Sequence, residues 1–535
     1  MRFLFFSALT IAFTVIPGSG EEKRPNFLFI YADDLGWGDL ACHGHPHILT
    51  PNLDRLASEG TDFQQFTVVN PVCSPSRVGI VTGMFPSRLG VHQHFASHTQ
   101  NVERHMPDWL DPKAPLLPRV LHEAGYRTAH YGKWHLSGGG IADAPPPSVY
   151  GYDDSATWTG GDKHVFDGTR FAKMADEGNA HDEQAASFLS IAATDHALEF
   201  VRDAHQRGAP FYVNLWLHET HHLVSATEND KKPYPDIEEP YRTYYAAVTR
   251  ADRQVGRMLA LLEELGLSED TLVVFSSDNG PENSHEKPGQ KFYFSQGQTG
   301  GLRGRKRSLL MGGVNVPFIV RWPGKVPAGR VDTETPIAGV DVFPTFLAAA
   351  GIPVPEGYQG DGENVLAAWK GEPFERGKPV FWYWSGKHGG DDWPTWAMRD
   401  GRRVLIVDET EKQRELYDVV ADREQSKNLA AEQPDRVASM WQAIKTWRAE
   451  LPQEIDPSLQ TTEPPRNSPA QTGRPPLTRE EMFAKKDLNK DGSLTLEEYL
   501  HRFPDQEEGK RRFPGFDDNG DGVLSREEFV TPGKK

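Results

Sequence analysis

Cys73-Ser74-Pro75-Ser76-Arg77, running on through Val78 to Thr82-Gly83, sets a thiol, a proline and a guanidinium at a spacing that could handle an anion. Pro75 suits the first turn of a helix, so residue 73 falls at a helix N-terminus, where unpaired N–H groups favour negative charge. Arg77, one turn on, adds a planar fork matched to a tetrahedral oxyanion. A second set is made of oxygen donors. Asp33, Asp34, Asp278 and Asn279 suit Ca²⁺ or Mg²⁺ rather than zinc; taken singly, such residues at strand ends more often cap the next turn. A third is cationic: Arg303, Arg305, Lys306 and Arg307 put four cations into five residues of a chain whose net charge is −18, a patch able to focus an anionic ligand. His43, His45 and His47 form a metal-like trio in a loop and are taken as loop filler or a substrate rim.

The C-terminus carries a different chemistry, written twice. Asp487, Asn489, Asp491, Ser493, Thr495 and Glu498 fall at positions one, three, five, seven, nine and twelve of a loop with Gly492 at six, and Asp517, Asn519, Asp521, Val523, Ser525 and Glu528 repeat this around Gly522. Both are EF-hand calcium loops, with Val523 and Ser493 contributing backbone carbonyls. The duplication runs at a spacing of thirty residues and includes Phe483/Phe513, Leu494/Leu524 and Tyr499/Phe529. Thr478 and Glu481 make a capping box for the first entering helix. Pro504 and Pro532 cut the exiting helices short, which suits a calcium-stabilised module better than an opening sensor.

These residues need elements to hold them. Asn26 to Ala32 and Thr271 to Ser276 are short apolar runs that read as buried strands of a parallel sheet, ending in Asp33-Asp34 and in Ser277-Asp278-Asn279. Pro210 to Leu217 reads as a third, followed by Glu219-Thr220-His221-His222. Helical patterns lie at Pro51 to Glu59, Leu116 to Ala124, Ala185 to Asp203 and Ala246 to Leu265. Strands alternating with helices give an α/β sheet, whose ligands bind beyond the carboxyl ends of the strands, so the two acidic pairs are placed to share one site. From about Lys378 the texture changes to consecutive strands, Val380 to Trp384, Trp396 to Arg399 and Arg402 to Asp408, and then a helix from Pro434 to Glu450. The expected organisation is a segment 1–20 removed on export, a catalytic domain over 24–375, a small α+β subdomain over 376–451, a Pro- and Thr-rich linker over 452–476, and an all-α EF-hand pair over 477–532.

Residues 1–20 join Arg2 to an apolar run from Phe3 to Ile16 and small residues before Glu21, a secretory signal too short to span a bilayer. No other stretch is apolar enough to form a transmembrane segment. Two cysteines in 535 residues leave Cys42 without a partner if Cys73 is modified. The acidic balance argues against nucleic acid; the two calcium loops, with four and five acids against one base each, hold seven of the net negative charges.

The run from Cys73 to Gly83 resembles the C-x-P-S-R-x4-T-G element of the type I, formylglycine-dependent sulfatases, of the arylsulfatase and N-acetylgalactosamine-6-sulfatase kind. Further strings are similar to that family: Asp33-Asp34-Leu35-Gly36-Trp37-Gly38-Asp39, Thr50 to Ala57, Gly125 to Ala129, Gly132-Lys133-Trp134-His135-Leu136, Leu302 to Lys306, and Leu416 to Leu429. The resemblance covers roughly residues 24 to 450. It implies an alkaline-phosphatase-like core with a large mixed sheet between helices. It implies Cys73 oxidised to formylglycine by a sulfatase-maturing enzyme, and one active-site Ca²⁺ held by Asp33, Asp34, Asp278, Asn279 and the modified Cys73. It further implies sulfate binding by Arg77, Lys133 and Lys306, and acid/base work by His135 and by His221, with His218 and His222 the alternatives. Met311 stands where relatives commonly have Glu. The implied reaction is hydrolysis of a sulfate ester, on an aryl sulfate or, with Arg305 and Arg307 on neighbouring groups, a sulfated carbohydrate. The rivals are a phosphate or phosphonate ester hydrolase of the same superfamily and a catalytically idle calcium-binding matrix protein.

Overall fold

β1 (Asn26–Ala32) is buried along its whole length, as a strand covered on both faces must be. Alternate residues point to opposite sides: Phe27, Phe29 and Tyr31 join one apolar core, Leu28, Ile30 and Ala32 the other. This is a computed structural model, and it describes residues 24–139, 141, 143–158, 189–221, 224–282, 295–386, 394–462, 479–501, 510, 513–517 and 519–530. The expected signal segment 1–20, His222, Thr478, Pro504, Pro532 and the side chain of Glu481 lie outside the described residues.

In chain order the further strands of the large sheet are β2 (Thr61–Phe63), β4 (Arg127–Lys133), β5 (Asp154–Trp158), β6 (Phe211–Trp216), β7 (Thr271–Ser277), β8 (Phe318–Arg321) and β9 (Arg330–Asp332), with β3 (Phe66–Thr67) and β10 (Ile337–Ala338) pairing separately. The spatial order is β5-β4-β6-β1-β7-β8-β2-β9. β5, β4, β6, β1 and β7 run parallel, and β8 is antiparallel to both its neighbours. Helices Pro51–Ser58, Leu189–Gln206 and Tyr241–Glu264 contribute to one core; Cys73–Thr82, Leu117–Glu123 and Val342–Ala349 contribute to the other. The expected start of a helix at Ala185 lies outside the described residues, and the helix expected from Ala246 begins at Tyr241.

The late strands form an antiparallel meander, β11 (Val380–Tyr383), β12 (Trp396–Asp400), β13 (Arg403–Val407) and β14 (Arg414–Asp418). β14 is additional to the sequence reading, because only Leu416 and Tyr417 of its five residues are apolar and buried, the flanking Arg414, Glu415 and Asp418 being polar. Helix Pro434–Ala449 covers it, and its Trp441, Ile444 and Trp447 belong to the same core as β1's outer face. Trp382 Nε1 donates to Val68 O at 2.7 Å, and Phe381 stacks on Trp447 beside Phe85.

Two compact units emerge, residues 1–466 and 467–535. The first includes a correction to the expected linker over 452–476. Its residues 459–462 form a strap held to the body: Asp108 N donates to Leu459 O at 2.9 Å, Thr461 N donates to Asp108 Oδ2 at 2.8 Å, and Thr462 N donates to Asp143 Oδ2 at 3.2 Å. Pro, Thr and Gln cannot build a core, but their backbone can be held by acids, here the buried Asp108 and the exposed Asp143. Residues 463–476 lie outside the described residues.

In the second unit, β15 (Ser493–Thr495) and β16 (Val523–Ser525) pair antiparallel with Leu494 opposite Leu524. Phe483, Tyr499, Leu500, Phe513 and Phe529 close the core around them.

Candidate active site

Four parallel strands end at one edge, and each delivers a functional side chain there. β1 leads into Asp33 and Asp34, β7 into Asp278 and Asn279, β4 into Lys133 and then His135, and β6 into His218 and His221. β4 can lie against β6 at this edge because residue 132 is glycine: a Cβ there would meet Trp216 O at 1.9 Å, and φ is +113°. Helix Cys73–Thr82 starts at the same place. Its N-cap residue, Val72, offers no side-chain acceptor, so the helix N-terminus is left for an anion.

Cys73 is 3 % exposed, and its Sγ lies 3.4 Å from Lys133 Nζ. Burial raises the thiol to about 12, with Lys133 and Lys306 only partly opposing; as a thiol this residue is inert. Arg77 donates from Nη2 and Nε to Asp278 Oδ2 at 2.6 and 3.1 Å and from Nη1 to Lys133 O at 3.2 Å, and it lies 4.7 Å from the centre of the Trp216 ring. Lys133 Nζ donates to Asp33 Oδ2 at 2.7 Å, an oxygen that also meets His218 Nδ1 at 2.9 Å. Lys306 Nζ donates to both Asp34 oxygens at 2.6 Å.

His135 has φ +52° and is held by Nε2 against Phe95 O at 3.0 Å. A non-glycine residue in that region carries strain of about 1–3 kcal/mol, as functional sites often do. Burial, then Lys133 and His94, hold its imidazole well below the ordinary range, hence neutral. Its Nδ1 has no hydrogen-bond partner among the described residues. His221 is also kept neutral, by burial and by Lys133, and stacks on His218 at 4.9 Å. Its ring nitrogen, Cys73 Sγ and an Asp33 oxygen lie within 4.8 Å of one another.

The oxygen donors fit a hard cation. Carboxylate oxygens of Asp33, Asp34 and Asp278 lie within 4.8 Å of one another, and Asn279 Nδ2 donates to Asp34 Oδ1 at 2.7 Å, turning its carbonyl elsewhere. Asp33 Oδ1 and Asn279 Oδ1 are buried with no hydrogen-bond donor among the described residues, an arrangement that a cation satisfies and that protein alone leaves costly. Burial raises Asp34 and Asp278, each further raised by Asp33, whereas the charge of Lys133, with the hydrogen bond from His218 and the charge of Arg77, outweighs burial at Asp33 and holds it low.

Sequence reasoning did not single out Glu282. It is 8 % exposed, lies 3.7 Å from Lys306 Nζ and pairs with Arg307. Arg305 is spent on backbone, donating to Glu282 O at 3.0 Å and to Gly297 O, while Arg303 meets Tyr417 Oη at 2.8 Å. Of the four cations read as a basic patch, Lys306 is buried, Arg305 and Arg307 are half-buried against Glu282, and Arg303 is exposed. No local signal marks Glu282, since its partners are far apart in sequence. His43 lies flat on Trp37 at 4.1 Å and contacts Asp62 Oδ2 at 3.0 Å, a role inside its loop.

In the second unit the twelve-residue loops carry their acids inward. Asp487 Oδ2 accepts from Gly492 N at 3.0 Å and Asp517 Oδ2 from Gly522 N at 3.0 Å; Glu498 Oε2 accepts from Thr495 N at 3.0 Å and Glu528 Oε2 from Ser525 N at 2.8 Å. Gly492 and Gly522 sit at φ +86° and +83°, the turn that position six requires.

A catalytic centre at the carboxyl edge of a mixed α/β sheet, gathering cations and carboxylates around a helix N-terminus, is an ester-hydrolase arrangement for an oxyanion. The family described as Sulfatase matches residues 25–352, the family described as N-sulphoglucosamine sulphohydrolase, C-terminal, matches 304–450, and EF hand matches 479–503 and 516–531. The chain is similar to N-acetylgalactosamine-6-sulfatase of Canis lupus familiaris, 32 % identical over 395 residues, covering 70 % of this chain and 71 % of the relative. It is similar also to human arylsulfatase A, 29 % identical over 364 residues, covering 63 % and 66 %. Among solved structures, Ps i-CgsB in complex with k-i-k-neocarrahexaose superposes with a TM-score of 0.68 at 25 % identity, covering 82 % of this chain and 96 % of that one. The chain belongs to the sulfatase family and is an enzyme, a sulfuric ester hydrolase.

Proposed function

We propose that this enzyme is an exported, calcium-dependent sulfatase that uses a formylglycine made from Cys73 and acts on a sulfated carbohydrate. The observation that carries the reading is Cys73 at its helix N-terminus, 3.4 Å from Lys133 and within the cradle of Arg77, Lys306 and three buried aspartates. Carbohydrate is favoured because relatives and neighbours include an N-acetylgalactosamine-6-sulfatase and a structure bound to neocarrahexaose. Export rests on residues 1–20; no helix among the described residues is long and apolar enough to cross a membrane.

The fixed charges of the cradle cancel. Asp33, Asp34, Asp278 and Glu282 stand against Arg77, Lys133, Lys306 and Arg307. A sulfate ester gathering further negative charge in its transition state would meet no net attraction there. Asp33, Asp34, Asp278 and Asn279 would hold Ca²⁺, which when bound supplies the missing positive charge and polarises a sulfate oxygen. Residue 73, as hydrated formylglycine, supplies an oxygen nucleophile to sulfur and a second hydroxyl whose deprotonation releases sulfate and restores the aldehyde. Arg77 and Lys133 bind sulfate oxygens and are themselves held by Asp278 and Asp33, so their geometry is set before substrate arrives. Lys306 gives a proton to the departing alcohol oxygen, with His221 the alternative donor once it has itself taken up a proton. His135, neutral and with Nδ1 available among the described residues, takes the proton from the second hydroxyl.

Protein made in a host containing a maturing enzyme should yield a peptide spanning Cys73 whose mass lacks the thiol, together with turnover of an aryl sulfate. Full activity with an intact Cys73 thiol would overturn the reading.

A further inference from the structure

A cavity of about 650 Å³ lies between the segment Ser87–Gln93, the turn at Arg104, the β11–β12 edge at Tyr383 and Trp396, and the segment Pro452–Asp456. Three arginines reach it. Arg88 is paired with Asp361 and Glu450, and Arg448 with Glu411. Arg104 is different: its recorded partners are the neutral His94 ring at 3.3 Å and His94 O at 3.0 Å, and no carboxylate pairs with it among the described residues. Glu103 alone acts on it electrostatically, and burial outweighs that help. A half-buried guanidinium with no counter-charge, at the wall of a cavity, is a cost unless an anion comes to it.

Arg104 also joins this cavity to the cradle. The His94 ring it contacts lies 6.3 Å from the His135 ring and feels the charges of Lys306, Arg307 and Lys133. The lining also bears four acids, Glu103, Asp111, Glu454 and Asp456, so within it, among the described residues, Arg104 is the cation without a paired carboxylate that can receive an anionic group. Tyr383, half-buried and stacked at 4.1 Å on the buried Trp396, is the partly exposed aromatic side chain of the lining, of the kind a sugar ring meets.

We propose that this cavity is a subsite for the sugar neighbouring the one whose sulfate is cleaved, with Arg104 binding a sulfate or carboxylate on that sugar. This rests on the reading of the cradle as a carbohydrate sulfatase site and adds where the rest of the substrate lies. The charge-selecting residue is then Arg104, not Arg305, whose guanidinium is spent on backbone carbonyls.

The full-length wild type, Arg104→Gln and Arg104→Lys, each checked for an unchanged melting temperature, would be compared on chondroitin 6-sulfate tetrasaccharide and on 4-nitrophenyl sulfate. Expected for Arg104→Gln is about a tenfold rise in KM or Kd for the tetrasaccharide, the value of one charge-assisted hydrogen bond, with 4-nitrophenyl sulfate turnover within about twofold and partial recovery in Arg104→Lys. Calorimetry with unsulfated chondroitin tetrasaccharide separates the sources: binding lost with Arg104 assigns a carboxylate, and binding only of the sulfated form assigns a sulfate. Equal loss on both substrates overturns the subsite, because Arg104 would then act by holding His94 near His135. No loss on either also overturns it. Wild type that leaves 4-nitrophenyl sulfate intact would defeat the sulfatase reading instead, while Arg104-dependent tetrasaccharide binding in that protein would still uphold the subsite.

Discussion

Asp278 serves two masters at the residue scale: it takes two hydrogen bonds from Arg77, and it stands among the oxygen donors beside Asp33 and Asp34. Removing it strands a buried guanidinium and takes away a cation ligand together. Asp278→Ala should therefore lower kcat on an aryl sulfate at least about a hundredfold and cost about 3–5 kcal/mol of stability, the usual result of breaking a buried ion pair. Both are checked by steady-state kinetics and denaturant melts, with metal content measured on the same sample. Retained turnover would show that Arg77 is positioned by something else. Neutral His135 and His221 belong to the same logic. Cations beside a buried imidazole keep it uncharged, which suits a proton acceptor and leaves the positive charge on Lys133 and Lys306.

At the scale of elements, the helix Pro51–Ser58 has no side-chain cap of its own at Thr50. Asp252, from the helix Tyr241–Glu264, caps it: its carboxylate accepts from Asn52 N at 3.0 Å and Leu53 N at 2.7 Å. Burial raises this carboxyl to about 6 despite those bonds. A carboxyl raised on folding contributes stability that is full below its unfolded pKa and is lost as pH rises through the folded one. Asp252 should thus favour folding by up to about 3 kcal/mol more at pH 4 than at pH 8. Asp252→Asn should flatten that dependence, so the melting-temperature gap between wild type and variant should move in the variant's favour between those pH values. A constant gap would refute the assignment. Strands β1, β6 and β7 were legible because parallel-sheet interiors are apolar on both faces, and the cradle residues because strand ends and short motifs fix them locally. Glu282 and Asp252 were not legible. Each acts on residues 24 to 200 positions away, and nothing in a local window distinguishes such an acid from a solvated one. The strap was misread for a related reason: composition reports what a segment cannot bury, not which acid receives its backbone.

Taken whole, the molecule separates its two clusters of oxygen donors into units with their own apolar cores. Glu498→Gln or Glu528→Gln should weaken calcium binding by the tail about tenfold or more, since each removes the position-twelve carboxylate, and should leave aryl sulfate turnover within about twofold. Calorimetric titration with calcium and parallel kinetics test this; equal loss of turnover would place the tail in the reaction. Ending the chain after residue 466 should likewise preserve melting of the first unit. Ending it after 451 should lower it, because Asp108 would lose both its strap bonds; identical melts would mean the strap adds nothing.

The burial of Cys73 has a temporal side. With 3 % exposure and a thiol that burial keeps protonated at neutral pH, the folded protein presents no accessible thiolate to an oxidising enzyme. If Cys73 is converted as proposed, maturation and folding compete for the same nascent chain, and the winner is decided once per molecule. A preparation should contain a fixed active fraction that neither grows with later exposure to the maturing enzyme nor shrinks on storage. Unfolding the inactive remainder in urea and diluting it in the presence of that enzyme should recruit a second fraction, read as new turnover and as loss of thiol from the peptide spanning Cys73. Conversion of the folded, thiol-bearing protein at a comparable rate would mean that the chain opens far more readily than its packing suggests.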